Sequence, residues 1–299
     1  MKTETNINNI PQSASEVKDM RELHFNEPPE MMYKYTSSDR ALDVLTNKHI
    51  YFAKCSEFND PYDWRVTPDI ETSEKRKIFI ENFAKKAHKY GMNITPEKKE
   101  EFINDSSKTN KFAHDIVKKC YKADTTGFCC LTDTRHSLPM WAHYADNHKG
   151  CCLVLDFSKH SNQKSPEDDF PFHWIKRIEY QKDLPKYDMS SMWTGYFYKS
   201  CQWKYENEWR AIMFDKNMSH KSLSLNSCSN KECNGAGLYP LGNFLCGVIL
   251  GYRMAKAAKK KIQVAARQCG ISVQQASPKL YKYGICLTEI NSKQSNRIL

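Results

Sequence analysis

The chain has 299 residues, of which 40% are apolar and 12% aromatic, and carries a formal net charge of +10. Such a chain has enough apolar residues for a real core, in one large domain or two small ones. No apolar run approaches the roughly 20 residues of a membrane-spanning helix, and the polar stretch Met1 to Asp19 has no apolar centre of a secretory signal. A soluble, cytoplasmic protein without a membrane partner is expected. In that setting the twelve cysteines read as reduced thiols, not as a disulfide framework. The basic balance points to a polyanion, which composition alone leaves as nucleic acid, a dinucleotide phosphate or a membrane surface, or to ordinary solubility charge.

In chain order, residues 1–28 read as a flexible tail ahead of a domain spanning 29–290. Met31 to Thr36 is a short strand. Ser37 or Ser38 can cap a helix running through Thr46, with Ala41, Leu42 and Leu45 on its buried stripe. His49 to Ala53 alternates like a strand, and the turn-rich Phe58 to Asp63 follows. Residues 73–121 form a charged helical insertion. Its first helix has the stripe Ile78, Phe79, Phe83 and Ala87 and can end at Gly91; Thr95-Pro96 opens the next.

Gly127 to Leu131, Gly150 to Phe157 and Ile175 to Tyr180 read as strands, with Leu138 to Asp146 a helix. Cys129-Cys130 and Cys151-Cys152 lie in strand-like runs, so the members of each pair should point to opposite faces. Ser190 to Cys201 reads as a helix and Glu208 to Phe214 as a strand. Asn217 to Gly237 is a loop; Cys228 and Cys233 have near-metal spacing there, but a zinc site needs about four ligands, and no metal is assigned. Leu245 to Leu250, a basic helix from Met254 to Cys269, and strands at Ile271 to Ala276 and Leu280 to Thr288 complete the domain; residues 291–299 form a second tail. Strands and helices mix without regular βαβ alternation, which indicates an α+β fold.

Three segments have side chains suited to chemistry. If Glu206, Glu208 and Arg210 lie on an extended strand they share one face, with Tyr205, Trp209 and Ala211 on the other. Two carboxylates so placed repel, and a ligand or Arg210 can relieve them; a solvated strand face with an Arg salt bridge is the bland alternative. In Met140-Trp141-Ala142-His143-Tyr144, His143 and Tyr144 suit ribose or phosphate contacts and Trp141 suits base stacking, or the segment is a buried amphipathic helix. Phe58-Asn59-Asp60-Pro61-Tyr62-Asp63 has turn chemistry and should bring Asn59 and Asp60 into one cleft with Trp141, His143 and Tyr144. Tyr33-Lys34-Tyr35 ends a strand with a lysine usable for a pyrophosphate. On the late helix, Arg253, Lys256, Lys260 and Arg267 fall near one face, a candidate nucleic-acid surface or a solvated one.

The motifs M-Y-K-Y-T-S, Y-F-A-K-C-S-E-F-N-D-P-Y-D, F-C-C-L-T-D-T, M-W-A-H-Y-A-D-N-H-K-G-C-C-L-V-L-D-F and W-K-Y-E-N-E-W-R resemble, in order, those of the bacterial family catalogued as domain of unknown function 2971. The chain is more weakly similar to ADP-ribosyltransferases. Their fold is a split antiparallel α+β core that opens on a strand contacting NAD and closes on one carrying a catalytic glutamate, in some members within an E-x-E pair. Tyr33-Lys34-Tyr35, the strand bearing Tyr51, and Glu206-Asn207-Glu208 match those elements, although Lys34 or Tyr35 stands where many members have His or Arg.

This resemblance implies that NAD is bound by Tyr33, Lys34, Tyr35, Tyr51, Asn59, Asp60, Trp141, His143 and Arg210, with Glu208, Glu206 and Tyr144 catalytic. It implies transfer of ADP-ribose to a macromolecule, with nucleic acid, RNA foremost, ahead of protein. The role would be that of a toxin or phage-defence effector, with an antitoxin as a further partner. A non-catalytic nucleic-acid-binding module and a metal-dependent nuclease using Asp60, Asp63, Glu206 and Glu208 are the alternatives.

Overall fold

Local capping chemistry sets the first elements. Strand β1 (Met31–Thr36) ends at Ser37, whose hydroxyl accepts from the Arg40 amide and caps helix α1 (Ser38–Asn47). That bond satisfies a donor that a helix start leaves open. Lys48, in left-handed backbone, stops the helix and the chain enters β2 (His49–Phe52) and then β3 (Thr67–Pro68). The structure, a computed structural model, describes residues 27–89, 91–120, 126–158, 171–172, 174–190, 194–214 and 235–290. The expected tail 1–28 lies almost wholly outside these residues, and the tail 291–299 and the Cys228 and Cys233 loop wholly so.

Three helices follow: α2 (Ser73–Lys89), α3 (Pro96–Asn104), capped by Thr95 with Pro96 at its first position, and α4 (Ser106–Cys120). They share a separate apolar core built on Phe79, Ile80, Phe83, Ala87, Ala113 and Ile116, which Tyr187 and Met189 complete. Ile78, expected on the buried stripe, is exposed, and Ile80 takes its place. Then come β4 (Thr126–Thr132), α5 (Leu138–His143), β5 (Cys151–Asp156), β6 (Trp174–Arg177), β7 (Glu179–Gln181), β8 (Lys186–Tyr187), β9 (Tyr198–Ser200) and β10 (Glu208–Phe214). The chain closes with β11 (Gly237–Pro240), β12 (Leu245–Leu250), α6 (Lys256–Gln268), β13 (Ser272–Pro278) and β14 (Ile285–Glu289).

Eight strands form one sheet in the order β14-β13-β12-β5-β1-β4-β10-β6. It is antiparallel except where β12 and β13 run parallel across the α6 crossover. Central β5 buries Cys151 to Leu155 in succession, as a strand covered on both faces must. One face packs Met32, Leu153, Leu155 and Leu250 under α1 and α6, through Ala41, Leu45, Ile262 and Ala266. The other packs Tyr33, Tyr35, Cys152 and Ile249 against Met140 and Trp141 of α5. Cys151 joins the first core and Cys152 the second, as their alternation required.

The sheet narrows at one seam. β1 pairs with β5 from Met31↔Asp156 to Thr36↔Cys151, and β4 pairs with β10 from Glu208↔Thr132 to Phe214↔Thr126. Between β1 and β4, however, the described residues meet in register at Tyr33↔Thr132 alone. The architecture is thus mixed α/β around a large, mostly antiparallel sheet. Its strand order is continuous, and the ladder is nearly interrupted at this seam.

Four local expectations change, one being that the strand expected over Leu280 to Thr288 begins at Ile285, after a hairpin loop. Within the expected helix Ser190 to Cys201, residues 194–197 form a 3-10 turn and 198–200 the strand β9. The expected helix to Asp146 ends at His143, and Asp146, Asn147 and His148 all take positive φ in the turn beyond it. The strand expected over Ile175 to Tyr180 is divided into β6 and β7.

Candidate active site

A cleft of ≈ 700 Å³ lies at the seam, where Lys34, Tyr35 and Thr36 of β1 face Phe128, Cys130 and Leu131 of β4. This size is usual for small-molecule sites. The Lys34 ammonium donates to the Cys130 carbonyl at 3.1 Å and so bridges the two strands. Tyr33, Tyr51, Asn59, His143, Tyr144, Glu206 and Glu208 also line the cleft. Segments far apart in sequence, around Asn59 and Tyr144, therefore meet: Asn59 Nδ2 lies 3.5 Å from the Tyr144 hydroxyl. Tyr51 donates to the Glu57 carboxylate at 2.8 Å, and the Tyr35 hydroxyl donates to the Thr134 carbonyl at 3.1 Å.

The wall of the cleft holds a buried ionic cluster. Lys199 on β9 donates to Glu206 Oε2 at 2.6 Å and to Glu208 Oε2 at 3.0 Å. Arg210 Nε donates to Glu208 Oε1 at 2.8 Å, and Arg210 Nη2 donates to Asp63 Oδ1 at 3.2 Å. Tyr144 donates to Glu206 Oε1 at 2.6 Å. Arg210 Nη1 donates to the Tyr196 carbonyl at 2.8 Å, and the guanidinium carbon lies 4.2 Å from the Trp64 ring centre, a cation–π contact in a dry setting. All five charged side chains are buried. Three carboxylates face two cations, leaving one surplus negative charge if every group is ionised.

That imbalance appears in the proton affinities. Burial pushes Glu206 up, and the adjacent Glu208 adds to the rise that Lys199 opposes; the net direction is up. Asp63 is likewise raised by burial, despite Arg210. Burial works against Glu208 too, but Arg210 and Lys199 outweigh it and hold its carboxyl well below the usual range. Burial disfavours the Lys199 ammonium, yet Glu208 and Glu206 keep its pKa above the ordinary lysine value. The cluster thus contains one firmly ionised carboxylate, Glu208, and two, Glu206 and Asp63, that hold a proton more readily.

The backbone explains how the glutamates converge. Trp209 sits in the main core, so Glu208 and Arg210 point to the opposite face of β10, as strand alternation requires. Glu206 is not on the strand. It ends the 3-10 turn Cys201–Glu206, and Asn207, at φ 45°, reverses the chain before β10 starts. The Thr132 hydroxyl pins the Glu206 carbonyl at 2.6 Å, and the Glu208 amide donates to the Tyr180 hydroxyl at 2.7 Å.

Several expected contacts lie elsewhere. Trp141 is fully buried, edge-on to Tyr35 at 5.1 Å, with its indole N–H donating to the Arg135 carbonyl; it is core, not a stacking platform. Asp60 is buried in a turn, accepting from the Tyr62 amide at 2.9 Å, and is not on the cleft wall. Arg210 holds carboxylates in place and does not line the cleft. Helix α6 starts at Lys256, so Arg253 precedes it, while Lys256, Lys260 and Arg267 are exposed on its surface and do not line the cleft. Sequence reasoning missed Lys199, because the helical reading of Ser190 to Cys201 hid the strand that aims it. The alternation of Phe197, Lys199 and Cys201 with Tyr198 and Ser200 was the available signal.

Among the described residues no helix is long and apolar enough to cross a membrane. No curated protein and no solved structure matches the chain. Residues 140–211, from within α5 into β10, match the family model described as Protein of unknown function (DUF2971), the family that the motifs of this chain resemble, and the matched segment contains Tyr144, Lys199, Glu206, Glu208 and Arg210.

Proposed function

We propose that this protein is an NAD-dependent ADP-ribosyltransferase that modifies a macromolecule, with nucleic acid, RNA foremost, favoured over protein as acceptor. The observation that carries the reading is the carboxylate pair Glu206 and Glu208, clasped by one lysine at 2.6 and 3.0 Å on the wall of the cleft. The near-interruption of the sheet at that cleft is a second support. The surplus negative charge suits a substrate that gains positive charge as it reacts. Lys34 and Arg40 on the cleft lining supply cations for a pyrophosphate, so the residues present fit NAD.

In this reading the bond between nicotinamide and ribose breaks, nicotinamide leaves with the electron pair, and an acceptor oxygen or nitrogen bonds to the ribose carbon. Glu208, kept ionised by Arg210 and Lys199, stabilises the developing cation without reorganising. Glu206, whose proton affinity is raised, takes the proton that the acceptor loses. Tyr144 orients Glu206 through its 2.6 Å hydrogen bond. A toxin or phage-defence effector is the biological role that accompanies this reading, and an antitoxin the matching partner.

The nuclease alternative has less support. Among the described residues no three His, Cys, Asp or Glu side chains converge as a metal ligand set, and Asp63 and Glu208 are turned to Arg210 and Lys199. The test is incubation with labelled NAD and a mixture of RNA, DNA and protein. Label should pass to RNA. Cleavage of nucleic acid that needs magnesium or manganese and no NAD would overturn the proposal, as would binding without any consumption of NAD.

A further inference from the structure

The most exposed large hydrophobic side chains of the described residues cluster at one turn. Leu280, Tyr281 and Tyr283 are 88, 96 and 101% accessible. They sit at the tip of the β13–β14 hairpin, whose last register is Pro278↔Ile285. The Lys279 amide donates to the Gly284 carbonyl at 3.0 Å and closes the base of the loop, with Gly284 at φ +138°. The run Lys279-Leu280-Tyr281-Lys282-Tyr283-Gly284 contains two lysines and no carboxylate. Aromatic rings left in water on a closed turn do nothing for the core, and exposed apolar clusters usually mark an interaction surface.

Strand register relates this tip to the cleft. Thr36 pairs with Cys151, Cys151 with Leu250, and Leu250 with Gln275. The chain leaves Gln275 for the hairpin tip at the end of the sheet where β1 runs into Ser37, and both Thr36 and Ser37 line the cleft. Arg253 and Lys256 follow Leu250 at that same end, and both are exposed. His136, in the loop before α5, has its Nδ1 at 3.2 Å from the Ile285 carbonyl oxygen, tying the base of the hairpin to the segment that leads to His143 and Tyr144. Arg267, by contrast, is eleven residues further along α6, roughly 16 Å away at the usual helical rise.

We propose that this hairpin tip docks single-stranded nucleic acid. Tyr281 and Tyr283 offer faces on which unpaired bases stack, and Lys279 and Lys282, with Arg253 and Lys256 behind them, meet the phosphates. Every base has a π face, so such a platform accepts many sequences. The alternation of ring and ammonium matches the alternation of base and phosphate, which an apolar or acidic protein surface does not share. The inference rests on the transferase reading only in naming this strand as the acceptor that the cleft modifies; the docking itself needs no NAD.

The test uses the full chain and a fluorescein-labelled, uridine-rich single-stranded RNA, followed by anisotropy at several salt concentrations without NAD. Replacing both tyrosines, Tyr281→Ala with Tyr283→Ala, should weaken binding by about tenfold per ring and leave the salt slope as it was. Replacing both lysines, Lys279→Gln with Lys282→Gln, should reduce the slope of log K against log salt by about 1.4. Circular dichroism of each variant checks that the exposed turn has been changed without loss of fold. Binding of the tyrosine variant within about twofold of wild type overturns the proposal. So does a wild-type protein that ignores RNA, or that prefers anionic lipid vesicles to it. If the wild-type protein binds RNA as described but never cleaves NAD, the transferase reading fails and the docking surface stands.

Discussion

Two regions of this protein use the same ion-pair chemistry in opposite settings. Around the helices α2–α4 the pairs lie in water: Lys186 meets Glu71 at 2.5 Å and Lys108 meets Glu101 at 2.7 Å. On the cleft wall Lys199 meets Glu206 at 2.6 Å and Arg210 meets Glu208 at 2.8 Å, with almost no solvent access. The distances are alike and the physics is not. Surface pairs are screened and add little to stability. Buried charges must first lose their hydration, a penalty that close pairing often only balances. A packed apolar wall would stabilise this fold as well or better. The buried cluster is therefore best understood by the charge it holds ready at the cleft, while the surface pairs of the helical block serve solubility.

That contrast can be broken most severely at Arg210. Arg210→Met leaves Glu208 and Asp63 facing the protein interior with Lys199 as the remaining cation of the cluster. We predict a loss of about 3–5 kcal/mol in unfolding free energy, read from urea denaturation. A loss below about 1 kcal/mol would place the buried cluster in the same class as a surface pair.

Next in size is the effect of Glu208→Gln on catalysis. The substitution leaves two carboxylates against two cations, so the fold should survive. Removing the preorganised charge should raise the transfer barrier by about 3 kcal/mol or more. Glu206→Ala should weaken transfer to the acceptor more than it weakens NAD hydrolysis. Label transfer by Glu208→Gln within about twofold of wild type would exclude Glu208 from the chemistry and favour a pure binding module.

A third expectation concerns acid. The Glu208 carboxyl falls from its ordinary 4.5 to about 2 in the folded protein. Its contribution to stability is therefore complete above pH 4.5 and is lost as pH falls toward about 2. Glu206 and Asp63, both raised, act with the opposite sign: each costs stability as pH rises from its ordinary value through its folded one. Denaturation midpoints of wild type should drop across the window from pH 4.5 to about 2, and those of Glu208→Gln should drop less. Parallel curves for the two proteins would show that Glu208 is not depressed. The smallest effect should come from Lys108→Ala, which removes exposed pairs; its midpoint should not move, and a clear shift would mean that the surface pairs also carry the fold.

The sequence made legible those parts of the site that depend on short-range periodicity. Trp209 in the core, with Glu208 and Arg210 opposite, follows from period-two alternation alone. The meeting of Asn59 with Tyr144 was legible as shared polar and aromatic chemistry, although no local rule fixes their distance. Glu206, which shares the face of Glu208 only if the segment is extended, instead ends a 3-10 turn, because Tyr-Glu-Asn suits such a turn as well as an extended run. Lys199 was hidden by aromatic spacing that suits a helix as well as a strand. Trp141 shows the opposite error: an aromatic that could stack on a base serves instead to fill the space beside Tyr35. The seam between β1 and β4 was not legible at all, since pairing that stops after one register depends on the whole sheet and not on either strand.

Asn207 shows that the middle letter of Glu-Asn-Glu is part of the message. Its backbone sits at φ 45°, where glycine is at ease, asparagine and aspartate are tolerated, and a side chain branched at Cβ collides with its own carbonyl. Two acidic neighbours can face one lysine here because the residue between them is written in a restricted alphabet. Valine, isoleucine or threonine at this position would keep both acids in the text and lose the angle between them. The motif is thus a statement about chain direction as much as about charge, and an E-x-E match that ignores its central residue reads only two of three letters.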